Sequence, residues 1–252
     1  MKLSLLIAGF NRSLSHTWPG IKANVIEPLR EYGIDVEIQG AISRSKNLVT
    51  NIWSKENGIT EWDVPEPDYF SVLDYFEQED IDVTIKAMSD LARTAGDPWP
   101  EVHDNFASLQ NHLRFLYLIK KGYEKIPFES NTVFFMRPDL YPVDRLEVDR
   151  YFKKDSSGAI SERFLGIVTP HWQQWEGLND RVAIISRPFA RIYLSRFDEI
   201  PHRVAEAFPI HSETYLKHSL RDVPVHPLLK EFFGRIRVGG ERSRYDKQER
   251  DY

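Results

Sequence analysis

The chain has 252 residues, enough for one large domain or two small ones, and its 41% hydrophobic share is ordinary for a globular protein. A formal net charge of −5 argues against nucleic acid as the main partner, and the absence of cysteine excludes disulfide bonds and thiol chemistry. No stretch approaches the length of a membrane span, so we expect a soluble, cytoplasmic protein without a transmembrane segment.

The chain begins with a pattern typical of a β-α-β unit. Residues 3–8 are apolar and predict a first strand, which ends in a glycine-containing turn at residues 9–13. The helix predicted next has one apolar face, formed by Trp18, Ile21, Val25 and Leu29. Gly33 ends this helix, and residues 34–38 predict a second strand. Such a unit indicates a parallel sheet.

The following part of the chain predicts mainly helices. Residues 40–67 have no firm apolar period and predict a surface segment with one short helix around residues 49–53. Residues 68–76 and 80–93 predict two further helices.

The strongest helical pattern and the strongest strand pattern are neighbours in the sequence. Residues 105–121 predict a helix that Gly122 ends, and its buried stripe consists of Leu109, Leu113, Leu116 and Tyr117. Residues 131–136 then form an apolar run typical of a central strand buried on both faces. The run stops at Arg137-Pro138-Asp139, which places a guanidinium and a carboxylate at the carboxyl end of a core strand. Ligands bind at that edge of open α/β sheets.

Two more strands are predicted around an aromatic, polar loop. The strands cover residues 164–168 and 181–185, and the loop covers residues 170–180. Ser186 is expected to cap a helix whose inward side chains are Phe189, Ile192, Tyr193 and Phe197.

The last predicted elements are a helix that begins at His211 and a short strand at residues 223–225. Residues 239–252 are strongly charged and predict a tail that is mobile or docked only locally. No linker separates two folding units, so residues 1–238 predict one α/β domain.

Polar residues cluster at the ends of these strands and the starts of these helices. The four clusters are residues 9–13, Arg137 to Asp139, residues 179–181 and residues 211–213. On one edge of the sheet they would suit a phosphorylated ligand neutralised by arginines, and a divalent ion held by Asp, His and water oxygens. Each cluster also has a structural explanation: pairing of Asp139 with Arg137, pairing of Asp180 with Arg181, and the start of a helix at His211 and Glu213.

The order of the motifs resembles a family of GT-A-type glycosyltransferases of bacterial and viral polysaccharide biosynthesis. The motifs that carry the resemblance are Gly9-Phe10-Asn11-Arg12, Ser108-Leu109-Gln110, Arg137-Pro138-Asp139, Asn179-Asp180-Arg181 and His211-Ser212-Glu213. The resemblance implies a single GT-A-like, Rossmann-related domain and transfer of a sugar from a UDP- or GDP-linked donor to a glycan or other hydroxyl acceptor.

The resemblance also implies roles for particular residues. The donor-binding candidates are Gly9, Asn11, Arg12, Gln110 and Arg114. Asp139 and His211 are the candidate ligands of Mn²⁺ or Mg²⁺, although Arg137 replaces the first Asp of the usual Asp-x-Asp motif and could itself neutralise the diphosphate. The catalytic candidates are Asp180 and Arg137, and the acceptor-binding candidates are Trp172, Trp175 and Glu213.

Two alternatives come from other functional classes. A nucleotide- or glycan-binding module without turnover is one, because the altered metal motif is compatible with lost catalysis. A nucleotidyltransferase is the other, and it requires a second metal-binding carboxylate that the sequence does not place.

Overall fold

The strand predicted at residues 131–136 lies at the centre of the main sheet in the computed structural model. The structure describes residues 1–47, 49–51, 56–58 and 60–243. In chain order the strands are β1 (Lys2–Phe10), β2 (Asp35–Arg44), β3 (Val49–Asn51), β4 (Glu56–Gly58), β5 (Val72–Glu77), β6 (Thr132–Met136), β7 (Leu140–Pro142), β8 (Phe152–Lys154), β9 (Ile160–Glu162), β10 (Ile167–Pro170), β11 (Val182–Ser186), β12 (Val225–Leu229) and β13 (Phe233–Arg235). The α-helices are α1 (Leu14–Ile21), α2 (Glu27–Glu31), α3 (Gln78–Arg93), α4 (Ala107–Tyr123), α5 (Ala190–Leu194), α6 (Ile200–Ala205) and α7 (Ser212–Ser219).

The main sheet of the described chain has the strand order β12–β10–β11–β6–β1–β2–β5. Every neighbouring pair in it is parallel except the two pairs that involve β11. Buried residues of α1 and α2 pack on one face, and those of α5 and α7 pack on the other. The prediction of an α/β fold with a mostly parallel sheet between helices is confirmed.

β6 is buried along its whole length because it lies between β1 and β11. Its side chains alternate between two hydrophobic cores: Phe134 and Met136 belong to one, Val133 and Phe135 to the other. A strand covered on both faces favours apolar residues at successive positions, which explains the continuous run from Val133 to Met136.

The first predicted helix is confirmed as one helical segment. α1 continues through a single π-helical turn, Lys22–Ile26, into α2. The predicted apolar face is buried, with at most 2% exposure for Trp18, Ile21, Val25 and Leu29. This face covers the sheet beside β1, as a β-α-β unit requires.

The helix predicted at residues 68–76 is wrong. Val72–Glu77 form β5, which pairs in parallel with β2 at the edge of the main sheet. Valine, tyrosine and phenylalanine fit a half-buried pleated surface, and pairing with β2 outweighs the helical spacing of these residues. The edge position leaves most of β5 only partly buried, so its apolar pattern is weak.

The segment after residue 40 also differs from the prediction. β2 does not stop at residue 38 but continues to Arg44, because β1 and β5 flank its second half. Within the short helix predicted around residues 49–53, Val49–Asn51 form strand β3 opposite β4. Residues 52–53 lie outside the described residues.

Three local predictions about helices are wrong. Gly122 does not end α4 but lies inside it, where a Cβ atom would come within 2.4 Å of the Leu6 side chain. Ser186 stands directly before the 3₁₀ turn Arg187–Phe189 that leads into α5, but its hydroxyl forms no capping hydrogen bond and instead accepts one from the amide of Gly166 at 3.1 Å. Ile192 is 39% exposed rather than inward.

The described part of the predicted tail folds back on the chain. Arg242 forms a β-bridge with Ile236, and the Ser243 amide donates to the carbonyl of Arg235 at 2.8 Å. Residues 244–252 lie outside the described residues. None of the described helices has the length and apolar character needed to span a bilayer.

Candidate active site

The ends of the central strands lie at one edge of the sheet. Met136, the last residue of β6, pairs with Ile7 of β1 and with Val182, the first residue of β11. β11 is antiparallel to β6, so the residues before its start lie beside those that follow β6. The amide of Arg137 accordingly donates to the carbonyl of Arg181 at 3.1 Å.

Two cavities at this edge join into one cleft. The inner cavity, of about 170 Å³, is lined by Gly9, Phe10, Arg12, Ser43, Gln78, Trp99, Ser108, Asn111, His112, Arg114, Phe115, Leu118, Arg137, Asp139 and Asp180. The outer cavity, of about 560 Å³, is lined by Arg12, Trp99, Glu101, Ser108, Asn111, Arg137, Trp175, Asp180, Arg181, His211, Glu213, Arg235 and Arg237. Arg137 and Asp180 belong to both linings, at the junction of the two cavities.

The backbone around Pro138 is fixed by tight contacts. A Cβ atom on Gly9 would lie 2.9 Å from the Pro138 ring, so glycine allows the end of β1 to approach this segment. The Thr17 hydroxyl donates to the Pro138 carbonyl at 2.7 Å, and the Ile236 amide donates to the Asp139 carbonyl at 2.9 Å. Arg137 and Asp139 are therefore held on a rigid turn.

Arg137 and Asp139 form a bidentate ion pair. The guanidinium donates from Nε to Oδ1 at 2.9 Å and from Nη2 to Oδ2 at 2.7 Å. Burial alone would raise the pKa of Asp139, but the charges of Arg137 and Arg12 hold that pKa well below its usual range. Both oxygens of the carboxylate are thus committed to an arginine, which agrees with the structural explanation for this motif.

The aromatic loop between β10 and β11 is held in place by two hydrogen bonds and one close backbone contact. The Asn179 side chain donates to the Trp172 carbonyl at 3.1 Å and accepts from the Arg181 amide at 3.0 Å. A Cβ atom on Gly177 would lie 2.1 Å from the carbonyl of Glu213, so the loop contacts the start of α7 backbone to backbone. These contacts position Asp180 from both sides.

Asp180 is a buried carboxylate without a partner in the described part of the chain. It is 3% exposed, and it accepts no hydrogen bond and forms no ion pair there, Arg181 included. A carboxylate without bound hydrogens keeps its lone pairs for a proton or a ligand hydroxyl. The cleft places this group where a ligand in either cavity would reach it.

Glu213 is the second carboxylate near Asp180. Burial raises the pKa of Glu213 to about 7, and the charge of Asp180 adds to the rise. Its carboxylate accepts a hydrogen bond from the Ser212 hydroxyl, and one oxygen lies 3.6 Å from Nδ1 of His211. His211 packs against Trp99, with ring centroids 4.8 Å apart, and burial lowers the pKa of its imidazole.

Positive charge is concentrated in the lining of the outer cavity, which includes five arginines. Arg181 is 6% exposed, and its guanidinium donates to the side-chain oxygen of Gln173. Burial, followed by repulsion from Arg235 and Arg137, lowers the pKa of Arg181 to about 9, so it remains charged at neutral pH. Arg137, Arg181 and Arg235 all line the outer cavity.

The structure brings most of the predicted site residues together. Those that line the cleft are Gly9, Arg12, Arg114, Arg137, Asp139, Trp175, Asp180, His211 and Glu213. Arg114 also forms a bidentate ion pair with Asp82 of α3, through contacts of 2.6 and 2.5 Å. Their functional roles stay predictions.

Three predicted site residues lie outside the lining. Asn11 is fully buried, and its side chain donates to the Asp63 carbonyl at 3.1 Å. Gln110 faces α3, where it donates to Asp82 at 2.8 Å. Trp172 packs on Phe232, so neither its ring nor these two amides are placed to contact a ligand in the cleft.

Several lining residues were not predicted from the sequence. Arg235 and Arg237 reach the cleft from β13 and the residues after it, and the alternation Arg-Ile-Arg around buried Ile236 is the signal that would have identified them. His112 was hidden within the apolar stripe of α4, and Trp99 within a proline-rich break. Nothing in the sequence around those two residues points to a ligand.

The residues at the predicted metal position do not fit a divalent cation. Asp139 already binds Arg137 through both oxygens, and no group of three or more His, Asp or Glu side chains among the described residues is arranged to hold a metal ion. Mg²⁺ and Mn²⁺ require several oxygen ligands. A cation placed about 4 Å from the Arg137 guanidinium would be repelled by about 4 kcal/mol per unit charge.

No family model and no curated protein match the chain. The chain is similar to solved structures of glycosyltransferases. Mouse xyloside xylosyltransferase 1 is 10% identical with a TM-score of 0.42, over 90% of this chain and 85% of that one. A glycosyltransferase involved in glycosylation of the PBCV-1 major capsid is 12% identical with a TM-score of 0.40, over 98% of this chain and 100% of that one. Drosophila β1,4-galactosyltransferase 7, solved with manganese, UDP-Gal and xylobiose, is 12% identical with a TM-score of 0.37, over 98% and 73%. At such scores the similarity does not establish an activity for this chain.

Proposed function

We propose that this chain is a glycosyltransferase that moves a sugar from a UDP- or GDP-linked donor to a hydroxyl of a glycan acceptor, in the building of a polysaccharide. The observation that carries the proposal is one cleft lined both by arginines and by Asp180, whose carboxylate has no partner in the part of the chain that the structure describes. A diphosphate leaving group and an acceptor hydroxyl need these two kinds of group.

Asp180 is the base in the proposed reaction. It accepts the proton of the acceptor hydroxyl while the hydroxyl oxygen forms a bond to the anomeric carbon of the donor. The bond between that carbon and the diphosphate oxygen breaks, and its electron pair leaves with the nucleoside diphosphate. Negative charge grows on the diphosphate as the sugar becomes oxocarbenium-like, so nearby cationic groups lower the barrier.

The remaining lining suits the sugar and the nucleoside. Trp175 is 54% exposed at the outer cavity and offers an aromatic face to an acceptor sugar. The inner cavity has the rings of Phe10, Trp99 and Phe115 beside polar groups of α4. Gly9 and Arg12, at the end of β1, are the donor-binding residues retained from the motif.

A panel of sugar nucleotides with and without oligosaccharide acceptors tests this proposal. We expect release of nucleoside diphosphate that depends on the acceptor. The alternative function is a nucleotide- or glycan-binding module without turnover. The ion pair of Asp139 with Arg137 favours this alternative, because the usual metal motif is lost. Tight binding of the donor, with no release of nucleoside diphosphate whichever acceptor is added, would support that alternative.

A further inference from the structure

We infer that the cleft binds the diphosphate of its ligand through the guanidinium groups of Arg137, Arg181 and Arg235, without a divalent cation. The identity of the ligand as a nucleoside-diphosphate sugar rests on the proposed function. The binding of a diphosphate by these arginines does not, and it is tested separately.

The first step of the inference concerns the position where a metal would bind. Asp139 holds the Arg137 guanidinium through two hydrogen bonds of 2.9 and 2.7 Å, and it is 1% exposed. A carboxylate in this state orients an arginine and maintains its charge. The Arg137 side chain retains 23% exposure, so part of its guanidinium is open to the cleft.

The second step concerns the charge of Arg181. Within the described residues no carboxylate oxygen lies within 4.0 Å of its guanidinium, and its side-chain partner is the neutral amide of Gln173. A buried charge without a counter-ion is costly. Burial lowers the pKa of Arg181, repulsion from Arg235 and Arg137 lowers it further, and the charges of Glu213 and Asp180 act in the opposite direction. A bound anion would supply the counter-ion and remove the cost of burying this charge.

The third step concerns the overall charge of the outer cavity. The arginines on its lining are Arg12, Arg137, Arg181, Arg235 and Arg237, and the carboxylates are Glu101, Asp180 and Glu213. The arginines outnumber the carboxylates, and Glu213 is partly protonated near neutrality. Guanidinium groups bind phosphate oxygens in bidentate fashion, and two phosphates supply enough oxygens for three of them.

Calorimetric titration of the full chain with inorganic pyrophosphate and with UDP and GDP tests the inference. Each ligand is titrated in EDTA and again with Mn²⁺. We expect the dissociation constants in EDTA to equal those with Mn²⁺. Arg181→Ala and Arg235→Ala should each weaken binding of pyrophosphate at least ~10-fold, with Arg181→Lys intermediate because lysine lacks the fork. Arg191→Ala, which removes an exposed arginine of α5 outside the cleft, should bind as the native chain does.

Loss of pyrophosphate and nucleotide binding in EDTA, with recovery on addition of Mn²⁺, would overturn the inference and leave the proposed function standing. Native affinity in a folded Arg181→Ala or Arg235→Ala variant would overturn it too. If Arg181→Ala does not fold, the result for Arg235→Ala decides. Metal-independent binding without sugar transfer would support the inference while contradicting the proposed function.

Discussion

Arg137 and Asp139 bind each other across Pro138, with both carboxylate oxygens of Asp139 accepting from one guanidinium. The pair forms directly after the end of β6 and fixes the direction of the Arg137 side chain. Asp139, which the sequence motif suggests as a metal ligand, is therefore the counter-ion of the neighbouring Arg137. This relationship shifts the expected role of Asp139 from ligand binding to orientation of Arg137.

Replacement of Asp139 by asparagine should destabilise the fold. The asparagine amide would direct hydrogens toward a guanidinium that is itself only a donor, and the buried pair would be lost. We expect a loss of about 2 kcal/mol in the free energy of unfolding, below the usual cost because Arg137 keeps partial contact with solvent. Denaturant titration measures it. Asp90→Asn, which breaks an exposed pair with Lys86, is the control and should change stability by less than about 0.5 kcal/mol.

Replacement of Gly177 by alanine should displace the aromatic loop. The new methyl group would lie 2.1 Å from the carbonyl of Glu213, and backbone atoms on both sides would have to move. We expect a loss of about 1–3 kcal/mol in the free energy of unfolding. Sugar transfer should also fall, because Asp180 and Trp175 belong to the displaced loop. Ser156→Ala, a change at an exposed turn residue outside the cleft, is the comparison and should change stability by less than about 0.5 kcal/mol. Equal stability of the two variants would contradict the packing argument.

The fold could be predicted where local and long-range preferences agree. β6 is apolar from Val133 to Met136 and lies between two strands, so its sequence predicts burial on both faces. β5 could not be predicted, because its mixed polar and apolar residues, such as Asp74, fit a helix as well as an edge strand. Pairing with β2 decides the conformation, and that pairing cannot be read from the residues of β5 alone. The end of β2 was missed for the same reason, since its neighbours rather than its own residues extend it to Arg44.

The candidate site could be predicted from its strand ends but not from its supporting contacts. Arg137 follows β6 and Asp180 precedes β11, and the antiparallel pairing of these two buried strands brings the two positions together. Whether a polar side chain near that edge faces the cleft depends on packing that a motif does not contain. Gln110 lies on the α4 side that meets α3, and for that reason it contacts Asp82.

Arg114→Ala should affect stability more than donor binding. Arg114 joins α4 to α3 through its ion pair with Asp82, although its side chain also lines the inner cavity. In a double-mutant cycle with Asp82→Ala we expect a coupling energy of about 1 kcal/mol, since the pair is partly exposed. Nucleoside-diphosphate affinity, measured by calorimetry, should change little. A large loss of nucleoside-diphosphate affinity without loss of stability would instead support a donor-binding role for Arg114.

Acidification should destabilise the protein through His112. Burial lowers the pKa of His112 to about 3, from a usual value of 6.5. The unfolded chain therefore binds a proton below pH 6.5 that the folded chain refuses, and stability falls as the pH drops from that value. His112→Phe should remove about 2 kcal/mol of the loss that occurs between pH 7 and pH 5. A His112→Phe variant that loses stability on acidification as steeply as the native chain would contradict this assignment.

Asp180→Asn should separate catalysis from folding. Because the native carboxylate accepts no hydrogen bond within the described residues, its neutral replacement should melt at the same temperature or higher. Affinity for nucleoside diphosphate should stay equal or tighten, since a negative charge near the arginines is removed. Transfer should fall by ~10²–10⁴, the usual cost of a lost general base. Asp198→Asn, which removes an exposed carboxylate paired with Lys120, should transfer normally. A lower melting temperature with intact specific activity would show that Asp180 supports the fold and not the reaction.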